Sequence, residues 1–229
     1  MSRKDRLSEL LGNPHIWRPG QHSVRPGVLP SGFAALDEKL GGGWPMGVLT
    51  EILLDEQGIG ELRLLRPALA RLGQPDTLAP ELLERLGPRR QVCWLMPPYI
   101  PYAPALLQQR IDLRSMLVVN VKQPADALWA MEQVLRSRVC AAVLGWFTRI
   151  DQQALRRLQL AAEDSFCWAV VFRHSRFLRE HAAAPLRLQL QATPSGLHLR
   201  ILRNRYGSVG SLTLSANLFA NSNVLAPPC

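Results

Sequence analysis

The sequence predicts an α/β protein: an open, mostly parallel sheet flanked by helices, with an antiparallel hairpin at one edge near the C-terminus. Two observations carry this. Strand-like segments at 48–54, 139–147 and 167–172, the second continuously apolar, alternate with stretches of helical periodicity, as expected for strands covered on both faces by crossover helices. The pattern then changes around Thr193-Pro194-Ser195-Gly196. Leu186, Leu188 and Leu190 before it, and Leu197, Leu199 and Ile201 after it, alternate strictly with polar residues, which is the signature of a half-buried hairpin. A chain of 229 residues accommodates one such domain with short extensions.

Residues 1–28 are polar and proline-bearing, apolar only around Leu7, Leu10, Leu11, Ile16 and Trp17, and read as an N-terminal arm with one short helix. The domain itself spans 29–213. It begins with Ser31, placed to cap a helix whose apolar positions Phe33, Leu36 and Leu40 follow helical spacing, and Gly41-Gly42-Gly43-Trp44-Pro45 ends that helix. After the strand at 48–54, Leu and Arg recur at helical spacing over 61–72, followed by a short helix at 80–86 and strands at 91–96 and 116–121. Between those two strands, Pro97, Pro98, Pro101 and Pro104 impose a rigid loop that enters a helix at 103–110. Tyr99 and Tyr102 on this loop are candidate partner contacts, with packing against the core as the ordinary alternative. Helices at 126–137 and 151–163 flank the strand at 139–147, and Trp129 reads as a core residue of the first. Residues 214–229 carry no charge and read as a tail.

Hydrophobic residues make up 47% of the chain, yet no apolar run reaches the length of a membrane span and the N-terminus lacks a signal-peptide core, so the expected location is cytoplasmic. The net charge of +9 rests on arginine, the lysines being Lys4, Lys39 and Lys122. This balance permits contact with nucleic acid or with an acidic protein surface, and equally fits an arginine-rich composition with no such role. Cys93, Cys140 and Cys167 lie in apolar segments and read as buried thiols, with Cys229 a free thiol on the tail. No Cys/His cluster, HExxH or GxSxG occurs, which removes metal and nucleophile catalysis from consideration; no cofactor or metal is expected.

The strand at 48–54 runs into Asp55-Glu56-Gln57-Gly58-Ile59-Gly60-Glu61-Leu62. A phosphate-binding loop at such a strand–helix turn needs a lysine for the β/γ-phosphates and a Ser/Thr for Mg²⁺; here Gly58, Gly60 and Glu61 stand instead, a degenerate nucleotide loop with a carboxylate where phosphate charge would sit. The preceding segment, Leu29-Pro30-Ser31-Gly32, Leu36-Asp37, Leu40-Gly41-Gly42-Gly43-Trp44-Pro45-Met46-Gly47 and Thr50-Glu51-Ile52, resembles the entry to the RecA ATPase core. That resemblance implies a RecA-like fold. The strand at 91–96 continues into Pro97-Pro98 without a catalytic glutamate, and the strand at 139–147 ends Leu144-Gly145-Trp146 without a Walker-B aspartate, so a non-enzyme is expected. Ile201-Leu202-Arg203-Asn204-Arg205 is similar to a basic stretch after a late RecA strand, which makes Arg203 and Arg205 candidate contacts to an acidic partner or nucleic acid, against the plain alternative of solvated charges.

A second resemblance overlaps the first. Gly60-Glu61-Leu62-Arg63-Leu64-Leu65, the loop 97–104, Ala127-Leu128-Trp129-Ala130-Met131-Glu132-Gln133, Leu135-Arg136-Ser137, Ala142-Val143-Leu144-Gly145-Trp146 and the helix 155–163 resemble, as an ordered set, the SulA/ImuA group. Length and the RecA-like N-terminal part favour the ImuA branch. What the resemblance implies is an accessory subunit of a damage-inducible, mutagenic translesion DNA synthesis complex. Its implied partners are an ImuB-like polymerase homologue and an error-prone DNA polymerase, with RecA as a further candidate. The alternatives are SulA-like inhibition of cell division through FtsZ, and a divergent ATP-binding protein using Arg63 or Arg66 as substitute cation.

Overall fold

The computed structural model describes residues 27–89, 91–180 and 183–217. The expected N-terminal arm, apart from residues 27–28, and the tail beyond residue 217 lie outside them. Two short strands, β1 (Val28–Leu29) and β2 (Trp44–Pro45), pair antiparallel around helix α1 (Ala34–Leu40). The helix does not start as the sequence suggested, because Phe33 occupies the N-cap and no side chain caps it. The Ser31 hydroxyl instead accepts from the Phe33 N–H at 3.1 Å, while Asp37 reaches back to accept from the Ser31 N–H at 2.8 Å. Serine makes such local turns as readily as caps.

The main sheet contains β3 (Leu49–Leu54), β4 (Gln91–Leu95), β5 (Met116–Val119), β6 (Cys140–Trp146), β7 (Trp168–His174), β8 (Leu186–Thr193), β9 (Gly196–Asn204) and β10 (Gly210–Ser215). Their order is β10-β9-β8-β3-β7-β6-β4-β5. Strands β3 to β8 are mutually parallel, β9 is reversed, and β10 pairs antiparallel with β9 and so regains the common direction. The mostly parallel α/β sheet and its antiparallel C-terminal hairpin are as the sequence predicts. The hairpin gains a third strand, whose last residues Leu214 and Ser215 reach into the stretch read as a tail; Leu214 is buried against the sheet.

Helices cover both faces. On one, α2 (Glu61–Leu72) buries Leu64, Leu65, Ala68, Leu69 and Leu72 against Ile52, Val170, Phe172 and Leu188, with α3 (Pro80–Leu86) and α4 (Ala103–Gln108) beside it. On the other, α5 (Pro124–Arg136) and α6 (Gln152–Ser165) bury Met131, Leu135, Leu155 and Leu158 against Leu49, Val143 and Val171. Trp129 departs from its expected place. It lies on the outer side of α5 and is 65% exposed, because Ala127, Met131 and Leu135 supply the inward stripe. The thiols of Cys93, Cys140 and Cys167 are free and buried in the second layer. No described helix is long and apolar enough to cross a membrane.

One polar network crosses this core. Glu51 is fully buried on β3 and accepts from Arg173 Nη1 of β7 and from Arg187 Nε of β8, each at 2.6 Å. Arg173 also donates to the Ile150 carbonyl at 3.1 Å and to Glu180 at 3.0 Å, and Arg187 donates to the carbonyls of Phe177, Leu178 and Glu180. Three adjacent strands are thereby tied to the 3₁₀ turn Ser175–Arg179 at the carboxyl end of the sheet. Two guanidiniums facing two carboxylates balance in charge, which is what lets ionised groups remain in so dry a place.

Candidate functional site

In parallel α/β sheets ligands gather outside the carboxyl ends of the strands, where connections leave in opposite directions. Here the connection from β4 leads outward to β5 while that from β6 leads inward to β7, and the loops after β3, β4 and β6 meet at this end. The loop after β3 is shaped by glycine: Gly58 has φ of 83° and Gly60 φ of 117°, both in the left-handed region that side chains avoid. A Cβ at Gly60 would also meet Leu197 of β9 at 3.1 Å.

This curvature turns the loop N–H groups onto Glu61, the first residue of α2. The Gly58 N–H donates to both carboxylate oxygens, at 2.9 Å and 3.1 Å, and the Gly60 N–H donates to Oε2 at 3.2 Å. Glu61 is 3% exposed. Donors of the kind that would cradle a phosphate at a helix N-terminus are therefore engaged by a carboxylate of the chain itself, where it also meets the positive end of the helix dipole.

The floor below is aromatic. Trp94 near the end of β4, Trp146 at the end of β6 and Phe172 on β7 form a row, with ring centroids 5.8 Å apart for the first pair and 4.7 Å for the stacked second pair. The sequence reading noted Trp146 near the strand ends but missed the row. Its signal was a large aromatic at or near the last position of three successive buried strands. These rings form the base of the space between the loops at this end of the sheet.

Between α2, this floor and the loop after β4 is a cavity of about 280 Å³. Gly58, Gly60 and Glu61 form one side, Trp94 and Trp146 the base, and the proline loop with α4 the other side. Arg63 stands at the rim, while Arg66, one turn on, is buried and does not line the cavity; burial, with Arg63 beside it, lowers the pKa of Arg66. The loop tyrosines do not pack inward as the ordinary alternative required. Tyr99, Ile100 and Tyr102 are 67%, 94% and 70% exposed, and Leu107 of α4 is exposed beyond them. Four prolines hold the backbone away from the core, so these side chains form an uncharged apolar ridge over the cavity mouth.

Arg203 and Arg205 lie elsewhere, at the exposed end of β9 and against α6, so the candidate contacts divide into two surfaces. Among the described residues no group of three or more His, Cys, Asp or Glu is arranged to hold a metal ion.

Fold and site together define a mixed α/β protein whose strand-to-helix loop binds a carboxylate of its own chain beneath an exposed aromatic ridge. No known protein-family model matches the chain. It is, however, 24% identical over 130 residues to the cell division inhibitor SulA of Serratia marcescens, a match covering 57% of this chain and 70% of that protein.

Proposed function

We propose that this chain is a non-catalytic, protein-binding member of the SulA/ImuA group that serves the bacterial response to DNA damage, as an accessory subunit binding an ImuB-like polymerase homologue within a mutagenic translesion synthesis complex. The observation that carries the non-catalytic part is the Glu61 carboxylate held by the Gly58 and Gly60 N–H groups, which takes those two donors of the degenerate loop away from an incoming anion. RecA is a further candidate partner. The distant similarity to SulA supports the group and the damage-response setting. The ordered motifs from 29 to 205, with the RecA-like entry segment, favour the translesion branch.

Contact falls to the ridge of Tyr99, Ile100, Tyr102 and Leu107. Exposed tyrosines and an aliphatic tip on a pre-ordered backbone lose little entropy on binding, which is the make-up of an interface hot spot. The test is copurification with an ImuB-like protein at matched expression. Binding is expected, and Ile100→Asp is expected to weaken it by about tenfold or more, the scale of a hot-spot residue, without lowering the melting temperature. Retained binding in that variant removes the ridge from the interface, and failure of the parent chain to bind overturns the translesion reading.

The similarity to a division inhibitor favours a second reading, binding of FtsZ. Filamentation on overexpression in undamaged cells, with block of FtsZ assembly by the purified chain, would establish it over the first. Calorimetry with ATP and Mg²⁺ tests the divergent nucleotide-binding alternative, and micromolar affinity would replace both.

A further inference from the structure

On the face of the sheet opposite α2, a groove of about 530 Å³ runs along the outer side of α6. Gln152, Arg156, Leu160 and Glu163 recur along that side at helical spacing, and Arg203 and Arg205 enter from the end of β9. Arg203 near the end of β9 and Arg205 just beyond it both line the groove. Their backbone is fixed: the Arg205 N–H donates to the Pro185 carbonyl at 3.1 Å, and the Asn204 side chain between them donates to the Lys39 carbonyl at 3.0 Å. Among its described lining residues the groove carries the guanidiniums of Arg156, Arg203 and Arg205 and one carboxylate, Glu163. Those of Arg156 and Arg205 make no hydrogen bond or ion pair among the described residues.

We infer that this groove binds an acidic, extended segment of a partner protein, with Asp or Glu side chains meeting Arg156, Arg203 and Arg205 and an aliphatic side chain covering Leu160. Charge complementarity sets the sign of the occupant, and planar guanidiniums fit carboxylates in two-pronged pairs. Leu160 is 57% exposed between charged neighbours, an apolar contact a peptide would use. Nucleic acid fits less well, since among the described lining residues there is no aromatic side chain to stack a base, the nearby Tyr206 not being one of them, and Glu163 would face the phosphates. The chain's own ends do not complement it. Residues 1–26 carry Arg3, Lys4, Arg6, Arg18 and Arg25 against Asp5 and Glu9, and residues 218–229 carry no charge. This surface is independent of the ridge at Tyr99 to Leu107, so it stands or falls apart from the proposed function.

The experiment uses the full chain and a fluorescent synthetic peptide alternating glutamate and leucine, a glutamine version of it, and a single-stranded oligothymidylate. Anisotropy is expected to report binding of the glutamate peptide, at least about tenfold tighter than the glutamine one and weakening as salt rises. The double variant Arg156→Ala/Arg205→Ala is expected to lose that preference, while Ile100→Asp keeps it. Equal binding of the two peptides, an undiminished preference in the double variant, or tighter binding of the oligothymidylate that the double variant abolishes would each overturn the assignment. Unchanged far-ultraviolet circular dichroism and melting of the double variant ensure that the comparison is between folded proteins.

Discussion

At the scale of single residues, Glu61 decides the character of the site. The sequence disclosed a carboxylate at a strand-to-helix turn, where phosphate charge would sit. It did not disclose that the carboxylate turns back onto Gly58, because that depends on how sharply two left-handed glycines curl the loop. Glu61→Ala should remove a cap and leave two donors free, costing about 1–2 kcal/mol in denaturant unfolding. The same variant should gain an anion response: phosphate is expected to raise the melting temperature of Glu61→Ala and leave that of the parent chain unmoved. The buried thiols give a second residue-scale expectation. Burial raises the pKa of Cys93 to about 11 and that of Cys140 to about 12, with Cys93 adding to the shift at Cys140, and it raises that of Cys167 as well. At alkaline pH the native state therefore holds protons that the unfolded chain has lost. Stability from these thiols is complete below about pH 9 and fades as pH rises through the folded pKa values. Denaturation midpoints across that range check it, and thiol reagents at neutral pH should label the three only on unfolding.

At the scale of elements, strands and helices were legible because the core strands are apolar on both faces and the helices keep a clean 3.6-residue stripe. Strand β3 ends where the sequence placed it, and α2 and α3 match residue for residue. What escaped was everything that long-range pairing creates. Glu51 looked like one letter of a strand motif, and nothing local announced that Arg173 and Arg187, more than a hundred residues away, would close on it. Glu51→Ala should leave two guanidiniums buried without their shared carboxylate and cost about 3–5 kcal/mol. Loosening of the 3₁₀ turn Ser175–Arg179 should accompany it, read as faster amide exchange there than in α2. Tyr99 and Tyr102 mark the other limit. Proline showed that the loop was rigid but not which way it was held, and the outward tyrosines became visible only in the folded chain.

At the scale of the whole molecule, the two candidate surfaces lie over opposite faces of one sheet, an uncharged ridge beyond α2 and a cationic groove beyond α6. An ion-strength series on the intact protein should separate them, with binding through the groove falling steeply with salt and binding through the ridge scarcely changing. Three of the arginines, ambiguous as composition, are brought together where the end of β9 lies beside α6. The Glu61 loop has a further consequence for what the fold can become. The carboxylate is a tethered competitor: being part of the chain, it confronts the Gly58 and Gly60 donors at an effective concentration on the order of millimolar or more, and it never diffuses away. A nucleotide phosphate arriving from solution competes with an occupant that has no association entropy left to lose. Writing a lysine elsewhere in the loop would add attraction without vacating the seat, so phosphate binding at this loop would have to begin with the loss of Glu61 itself.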